Sequence, residues 1–389
     1  MKIESAVKTS RQANVVRLRA GPAWPADIPW PSGDHTIVLT SPSQPGDCSA
    51  SDVVLSGTSL EGGGISILVK RQSGQLVSTF DFDDWRRTML FENYRPEHTI
   101  PITARFPFHY HRLPGIVRNA LATVMLSSSE KCGFPAELRD CGPSLIHALL
   151  AGSEKNVRPP IAVLTHDIDT ARGFEWLEVI AAAEEDVGAR ACWNVVPKHY
   201  PIDEAKLGRL AMAGHEIGLH GIWHTNREAF LAPPELAREF EMLADFRARF
   251  RIRTYRGPSW YRTQKMFDVL ANYFDRDLTM LDIDLICPGG HGGVGLARAF
   301  RVRPSLVEIP CTLPFEAPIV VGPTPKSLTE FWQPKIDLLK RAGGMVVVNT
   351  HPDPNYLGNA DMLAEYRRLL GYLVEKGWTF KLPRDIAVD

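Results

Sequence analysis

Two short clusters place ionisable side chains at spacings suited to holding a metal ion. The first is Thr165-His166-Asp167-Ile168-Asp169, whose aspartates are two residues apart and on an extended strand share one face. Close carboxylates repel unless a cation sits between them or one of them keeps a proton. The plain alternative is a solvated strand end or a helix N-cap, where Asp is favoured. The second cluster is His220-Gly221-Ile222-Trp223-His224. On a helical turn, histidines four apart aim both imidazoles at one ion; a chance surface pair is the alternative. His215-Glu216 does not begin a zinc-protease HExxH helix, because the next histidine, His220, is five positions on and so on a different helix face. Combined, one carboxylate and two histidines make a catalytic metal shell with positions open for water and substrate. A second carboxylate beside them is suited to deprotonating that water.

The surrounding pattern explains how such residues reach one place. From Ile161 onward, apolar β-like runs alternate with amphipathic helical stretches: 161–165, 191–196, 215–220, 254–257, 279–284, 306–310 and 345–351 for strands, and 173–190, 203–214, 233–250, 264–274, 327–344 and 361–377 for helices. Repeated β–α units imply a parallel sheet, open or closed into a barrel. In such folds chemistry gathers at the carboxyl ends of the strands. His166, Asp167 and Asp169 follow the first run, and His220 and His224 the third. Arg256 closes the next, Asp282 and Asp284 follow another, and His351 ends the last long one. Residues 1–155 have a different texture, rich in Pro, Gly and Ser, with β-prone runs at 36–40 and 65–70 and one helical pattern at 113–126. They read as an irregular α+β accessory region whose role the sequence does not state. The stretch 151–160 has linker composition, so residues 156–389 form the second unit.

The motifs THDID, HEIGLHGIWH, RGPSW and VVVNTHP, in this order and rough spacing, resemble the polysaccharide deacetylases (the NodB-homology family, carbohydrate esterase family 4). The resemblance covers about residues 158–380 and leaves the N-terminal third unmatched. It implies a distorted (β/α)7-type barrel and a reaction that hydrolyses N- or O-acetyl groups, usually on sugars. By the same resemblance, Asp167 matches the catalytic base, Asp169, His220 and His224 the metal ligands, Arg256 the arginine that orients the base, and His351 the general acid. The commoner family form has adjacent aspartates, whereas here Ile168 intervenes and gives a DxD variant. His166 receives no role from the resemblance and is expected to be a strand-end hydrogen-bonding residue. Asp282 or Asp284 is placed to raise the basicity of His351, or else to cap the following segment. Trp260 and Tyr261 are candidates to stack on a sugar ring, with core packing as the alternative.

This leads to the expectation of a hydrolase that removes an N-acetyl or other acyl group from a sugar or related amide, with an acetylated sugar or glycan precursor as its partner. A divalent metal is the expected cofactor, with zinc first and cobalt or nickel as substitutes. Two rivals remain. Both DID sequences have the form that chelates a nucleotide-sugar metal in glycosyltransferases, and a barrel without activity would only bind glycan.

The bulk composition narrows the class. Lys plus Arg number 44 against 45 Asp plus Glu, so no charge excess invites nucleic acid or an anionic membrane. No run approaches the ~20 apolar residues of a membrane span. The first residues lack the apolar core of a secretory signal, and six cysteines are scattered without a CxxC pair. A cytoplasmic location is therefore expected. Other features invite weaker readings: His109 and His111 downstream of Asp81, Asp83 and Asp84 as a solvated polar face, the Gly-rich stretch 288–295 as a loop over the site mouth, and Trp24, Trp30 and Trp85 as buried residues.

Overall fold

A computed structural model describes residues 14–20, 35–39, 50–59, 65–73 and 75–78, and residues 159–388 apart from 226, 283–293, 295, 322–324 and 342. In the first part, β1 (Asn14–Ala20), β2 (His35–Leu39), β3 (Val53–Ser59), β4 (Ile65–Gln72) and β5 (Gln75–Ser78) form an antiparallel sheet in the order β2-β1-β3-β4-β5. The β-prone runs at 36–40 and 65–70 are β2 and β4. The helical pattern at 113–126, the His109/His111 cluster and its aspartates, and Trp24, Trp30 and Trp85 lie outside the described residues.

The second part follows the β–α alternation. Strand β6 (Ile161–Ile168) leads to α1 (Leu177–Glu185), β7 (Ala191–Val195) to α2 (Glu204–Met212), and β8 (Glu216–His220) to α3 (Pro233–Glu241) and α4 (Ala244–Arg249). Strand β9 (Thr254–Arg256) leads to α5 (Gln264–Leu270), followed by β10 (Arg276–Asp277), β11 (Phe300–Arg303), β12 (Leu306–Glu308) and β13 (Leu313–Pro314). Then come α6 (Ala317–Val321), α7 (Leu328–Arg341), β14 (Val346–Thr350), α8 (Ala360–Glu375) and β15 (Thr379–Phe380). Side-chain caps mark several starts: Asp203 accepts from Lys206 N, Thr263 from Met266 N and Asn359 from Met362 N. The single helix expected over 233–250 is two, because Leu243 leaves the helical region at φ −100°, ψ 9°. The strand expected over 279–284 begins earlier, at Arg276, and among the described residues that follow it Leu281 makes a bridge to Cys311.

The sheet runs β11-β12-β10-β9-β8-β7-β6-β14-β13. It curls because one stretch, 306–314, meets both of its ends. Val307 and Glu308 pair with Arg276 and Asp277, while Leu313 and Pro314 pair with Val348 and Asn349. Backbone bonds from Cys311 N to Met280 O and from Thr312 N to Val347 O continue the join. The result is the distorted (β/α)7-type barrel that the sequence motifs imply.

The period of two decides what each strand residue sees. Ala162, Leu164 and Ile168 of β6 pack outward with Leu177 and Ile180 of α1 in the main core. Val163 points the other way and joins Cys192, Leu278, Val307, Ile309 and Val347 in a smaller apolar cluster that fills the barrel. Asp167 lies on the Val163 face, Asn194 on that of Cys192, and Asn349 on that of Val347. Apolar packing closes one end of the barrel interior and leaves polar residues at the carboxyl ends of the strands.

Candidate metal centre and active site

Four strands deliver the central residues: Asp167 and Asp169 at the end of β6, His220 at the end of β8, Arg256 at the end of β9, and His351 just past β14. Asp169, His220 and His224 are all buried and offer three ligand atoms within 4.8 Å of one another. The Nε2 atoms of His220 and His224 are 3.1 Å apart, and each is 3.4 Å from Asp169 Oδ1. Donor atoms at about 2.0–2.2 Å from a tetrahedral ion lie roughly 3.3–3.6 Å from one another, so these three match one face of such a shell. His220 Nδ1 donates to the Arg256 carbonyl at 3.2 Å. That bond fixes the tautomer and leaves the Nε2 lone pair facing its partners. Burial also pushes the His220 pKa down to about 4 against the pull of Asp167, which keeps the ring neutral. For His224, burial works against a proton, but Asp169, with Glu228 and Asp167, raises the pKa. Two imidazole nitrogens and one carboxylate oxygen suit a divalent ion such as zinc.

The loop that carries His224 is not the helical turn expected from the spacing. Gly221 has φ +64° and His224 φ +55°, so the chain turns sharply after β8. A side chain at position 221 would collide with Glu228 Oε2 and Pro258, both 2.6 Å from where its Cβ would stand. Glycine is therefore required there both by φ and by space.

Asp167 is 1% exposed. Arg256 Nη1 lies 3.3 and 3.2 Å from its two oxygens, and Asn194 Nδ2 donates to Oδ1 at 2.9 Å. Burial alone would raise this carboxyl, but Arg256, with His220 and His351, holds it at about 2. Arg256 is fixed in turn, since Nε donates to Leu278 O at 3.0 Å and Nη1 donates to Asn349 Oδ1. Gly218 has a local purpose too: a Cβ there would collide with Asn194 Oδ1. Asp167 Oδ2 is 4.0 Å from His220 Nε2, which sets the carboxylate beside the candidate metal position.

His351 Nε2 approaches Asp169 Oδ2 at 3.9 Å from another strand. Its Nδ1 donates to Glu316 Oε2 at 2.7 Å, and Glu316 also accepts from the backbone N–H groups of His351 and Leu357. Burial opposes a proton on this ring, yet Asp169 and Glu316 raise its pKa to about 10. Glu316 is the residue that sequence reasoning missed. The available signal was an isolated carboxylate just past an extended Leu313-Pro314-Phe315, but that strand is only two residues long. Asp282, weighed with Asp284 as either a support for His351 or a cap, is buried against Lys335 Nζ at 2.9 Å, and Lys335 also donates to Thr312 O. Asp284 and most of the Gly-rich stretch lie outside the described residues.

The remaining candidates separate. Trp260 is half-buried, with its ring 5.1 Å from the Arg256 guanidinium, whereas Tyr261 is packed in the core against Phe230. His166 points away from the site, as expected for a strand-end residue. It is fully buried between Thr350 Oγ1 at 2.6 Å and Glu184 Oε1 at 2.7 Å. Cys192 and Cys311 are free and buried. No helix of the described residues is long and apolar enough to cross a membrane.

No protein-family model matches this chain, and no curated protein matches it. Solved structures do. Its structural neighbours include polysaccharide deacetylases and family 4 carbohydrate esterases, the group that the sequence motifs resemble. A polysaccharide deacetylase from Mycobacterium smegmatis is 19% identical over 57% of this chain and 86% of its own, with a TM-score of 0.42. A family 4 carbohydrate esterase from Streptomyces lividans, solved with acetate, is 15% identical over 60% and 99%, with a TM-score of 0.39. An allantoinase is 12% identical over 59% and 90%, with a TM-score of 0.47.

Proposed function

We propose that this chain is a metal-dependent hydrolase that removes an N-acetyl or other acyl group from a sugar or a related amide. One observation carries the proposal. Three ligand atoms spaced as one face of a tetrahedral shell lie beside a carboxylate paired with Arg256 and a histidine hydrogen-bonded to Glu316. A divalent ion, zinc first and cobalt or nickel as substitutes, would supply Lewis acidity toward the acyl oxygen and acidify a bound water.

The chain's own residues supply the proton transfers. Asp167, kept ionised and oriented by Arg256 and Asn194, takes a proton from the attacking water as its oxygen bonds to the acyl carbon. His351 then gives its Nε2 proton to the nitrogen as the C–N bond breaks, so the products are a carboxylic acid and a free amine. Glu316 holds the imidazole by its other nitrogen, which keeps Nε2 directed inward and stabilises the charged ring before the proton leaves. Asp167, once protonated, passes its proton to solvent, and His351 takes one up from solvent, which resets both groups.

A glycosyltransferase reading is disfavoured because the second DxD sequence has its first aspartate in an ion pair with Lys335. The test is an acetate-release screen over N-acetylated sugars and UDP-sugars with added zinc, cobalt or nickel. Release that stops on chelation and returns with metal is expected. Turnover of a UDP- or GDP-sugar without acetate release would contradict the proposal.

A further inference from the structure

We infer that Glu228 is a positioning residue for the metal centre: its carboxylate holds the backbone of residues 222–224 in the one conformation that brings His224 against His220 and Asp169. The inference rests on the proposed metal centre and assigns a role to a residue outside the four motifs. Glu228 is 2% exposed. Its Oε1 accepts from Ile222 N at 2.9 Å, Trp223 N at 2.8 Å and His224 N at 3.1 Å, and its Oε2 accepts from Ile222 N at 2.8 Å. Tyr255 hydroxyl adds a longer contact to Oε2 at 3.4 Å.

Three consecutive N–H groups converging on one carboxylate form a concave donor set. Each of these bonds is charge-assisted, and burial leaves no water to replace it. The same loop holds a non-glycine residue, His224, at φ +55°, a conformation that persists only where the surroundings impose it. Glu228 is what imposes it. Burial raises the Glu228 pKa, and the N–H groups of Trp223 and Ile222 and the His224 ring oppose that rise. The far side of this brace is anchored as well, since Thr263 Oγ1 donates to Ala229 O at 2.7 Å. None of these contacts touches a ligand atom of His224, so Glu228 acts through the backbone and not on substrate.

The test is zinc affinity, measured by chelator competition on the full chain, together with the visible absorption spectrum of the cobalt-loaded protein. Outer-shell partners of metal ligands typically alter affinity about 10- to 100-fold. Glu228→Gln, which keeps the size but puts an amide NH2 among N–H donors, should weaken zinc by that factor and change the cobalt spectrum. His224→Ala should weaken it too, and the double variant should lose no more than His224→Ala alone, because both act on one ligand. Zinc affinity of Glu228→Gln within threefold of wild type, or losses that multiply in the double variant, would overturn the role. If Glu228→Gln does not fold, Glu228→Asp, one methylene shorter, must show the same weakening, and wild-type affinity there overturns it equally. A wild-type chain that binds no zinc, cobalt or nickel sinks the metal centre itself, a result distinct from tight binding that ignores residue 228.

Discussion

Replacing Glu316 with glutamine removes one negative charge and turns an amide NH2 toward His351 Nδ1. Glu316 is buried, and it accepts from His351 Nδ1 at 2.7 Å, from the His351 N–H at 2.9 Å and from the Leu357 N–H at 2.9 Å. A glutamine keeps one oxygen for the two backbone donors, so the turn after β14 should persist. What is lost is the charge-assisted bond to the imidazole, worth about 1.5–3 kcal/mol, or roughly 1–2 pKa units. The sign follows from the geometry: an anion beside His351 favours its charged form, so removing the anion lowers its pKa. If His351 delivers the proton to the departing nitrogen, the alkaline limb of the rate profile should move down by about 1–2 units, so that the rate on that limb falls roughly 10- to 100-fold. Acetate release followed from pH 5 to 10 with saturating zinc reads both quantities. An unchanged alkaline limb with a rate within twofold of wild type, in a variant that still binds zinc, would refute the acid role of His351.

Two further predictions concern stability. Lys335→Met removes the buried cation that meets Asp282 and Thr312 O and should cost about 3–5 kcal/mol in denaturant unfolding, while acetate release per folded molecule stays unchanged; a loss of turnover at full folding would tie this pair to the chemistry. Glu308 is fully buried, and burial together with the Asp277 carboxylate raises its pKa. The folded chain therefore retains a proton that the unfolded chain releases, and this stability is present below the ordinary carboxylate range and lost as pH rises through the folded-state value. Glu308→Gln should flatten the fall in Tm as pH rises above the ordinary carboxylate range, and an unaltered slope would contradict that assignment.

Much of the barrel was legible because strand and helix periods differ and because parallel strands buried on both faces read as apolar runs. The alternation in Thr165-His166-Asp167 determines that Asp167 faces inward and His166 outward, and the structure follows it. The spacing of His220 and His224 was a usable signal, but the conformation between them was not. It depends on a positive φ at Gly221 and His224 and on Glu228, a non-local anchor that no helical or strand periodicity encodes. Glu316 was hidden for a similar reason, since its strand spans two residues and pairs only because 306–314 bridges both ends of the sheet. The break between α3 and α4 left no proline or glycine to announce it, because Met242 and Leu243 are ordinary helix formers.

The most direct test of the central claim measures bound metal and acetate release in the same preparations of wild type, Asp167→Asn and His220→Ala. Asp167→Asn should retain stoichiometric metal and lose about 10²–10⁴ in rate, the range of a general base, whereas His220→Ala should lose both metal and turnover. Acetate release from His220→Ala at the wild-type rate without bound metal would contradict the account, and loss of metal from Asp167→Asn would exchange the roles of Asp167 and Asp169.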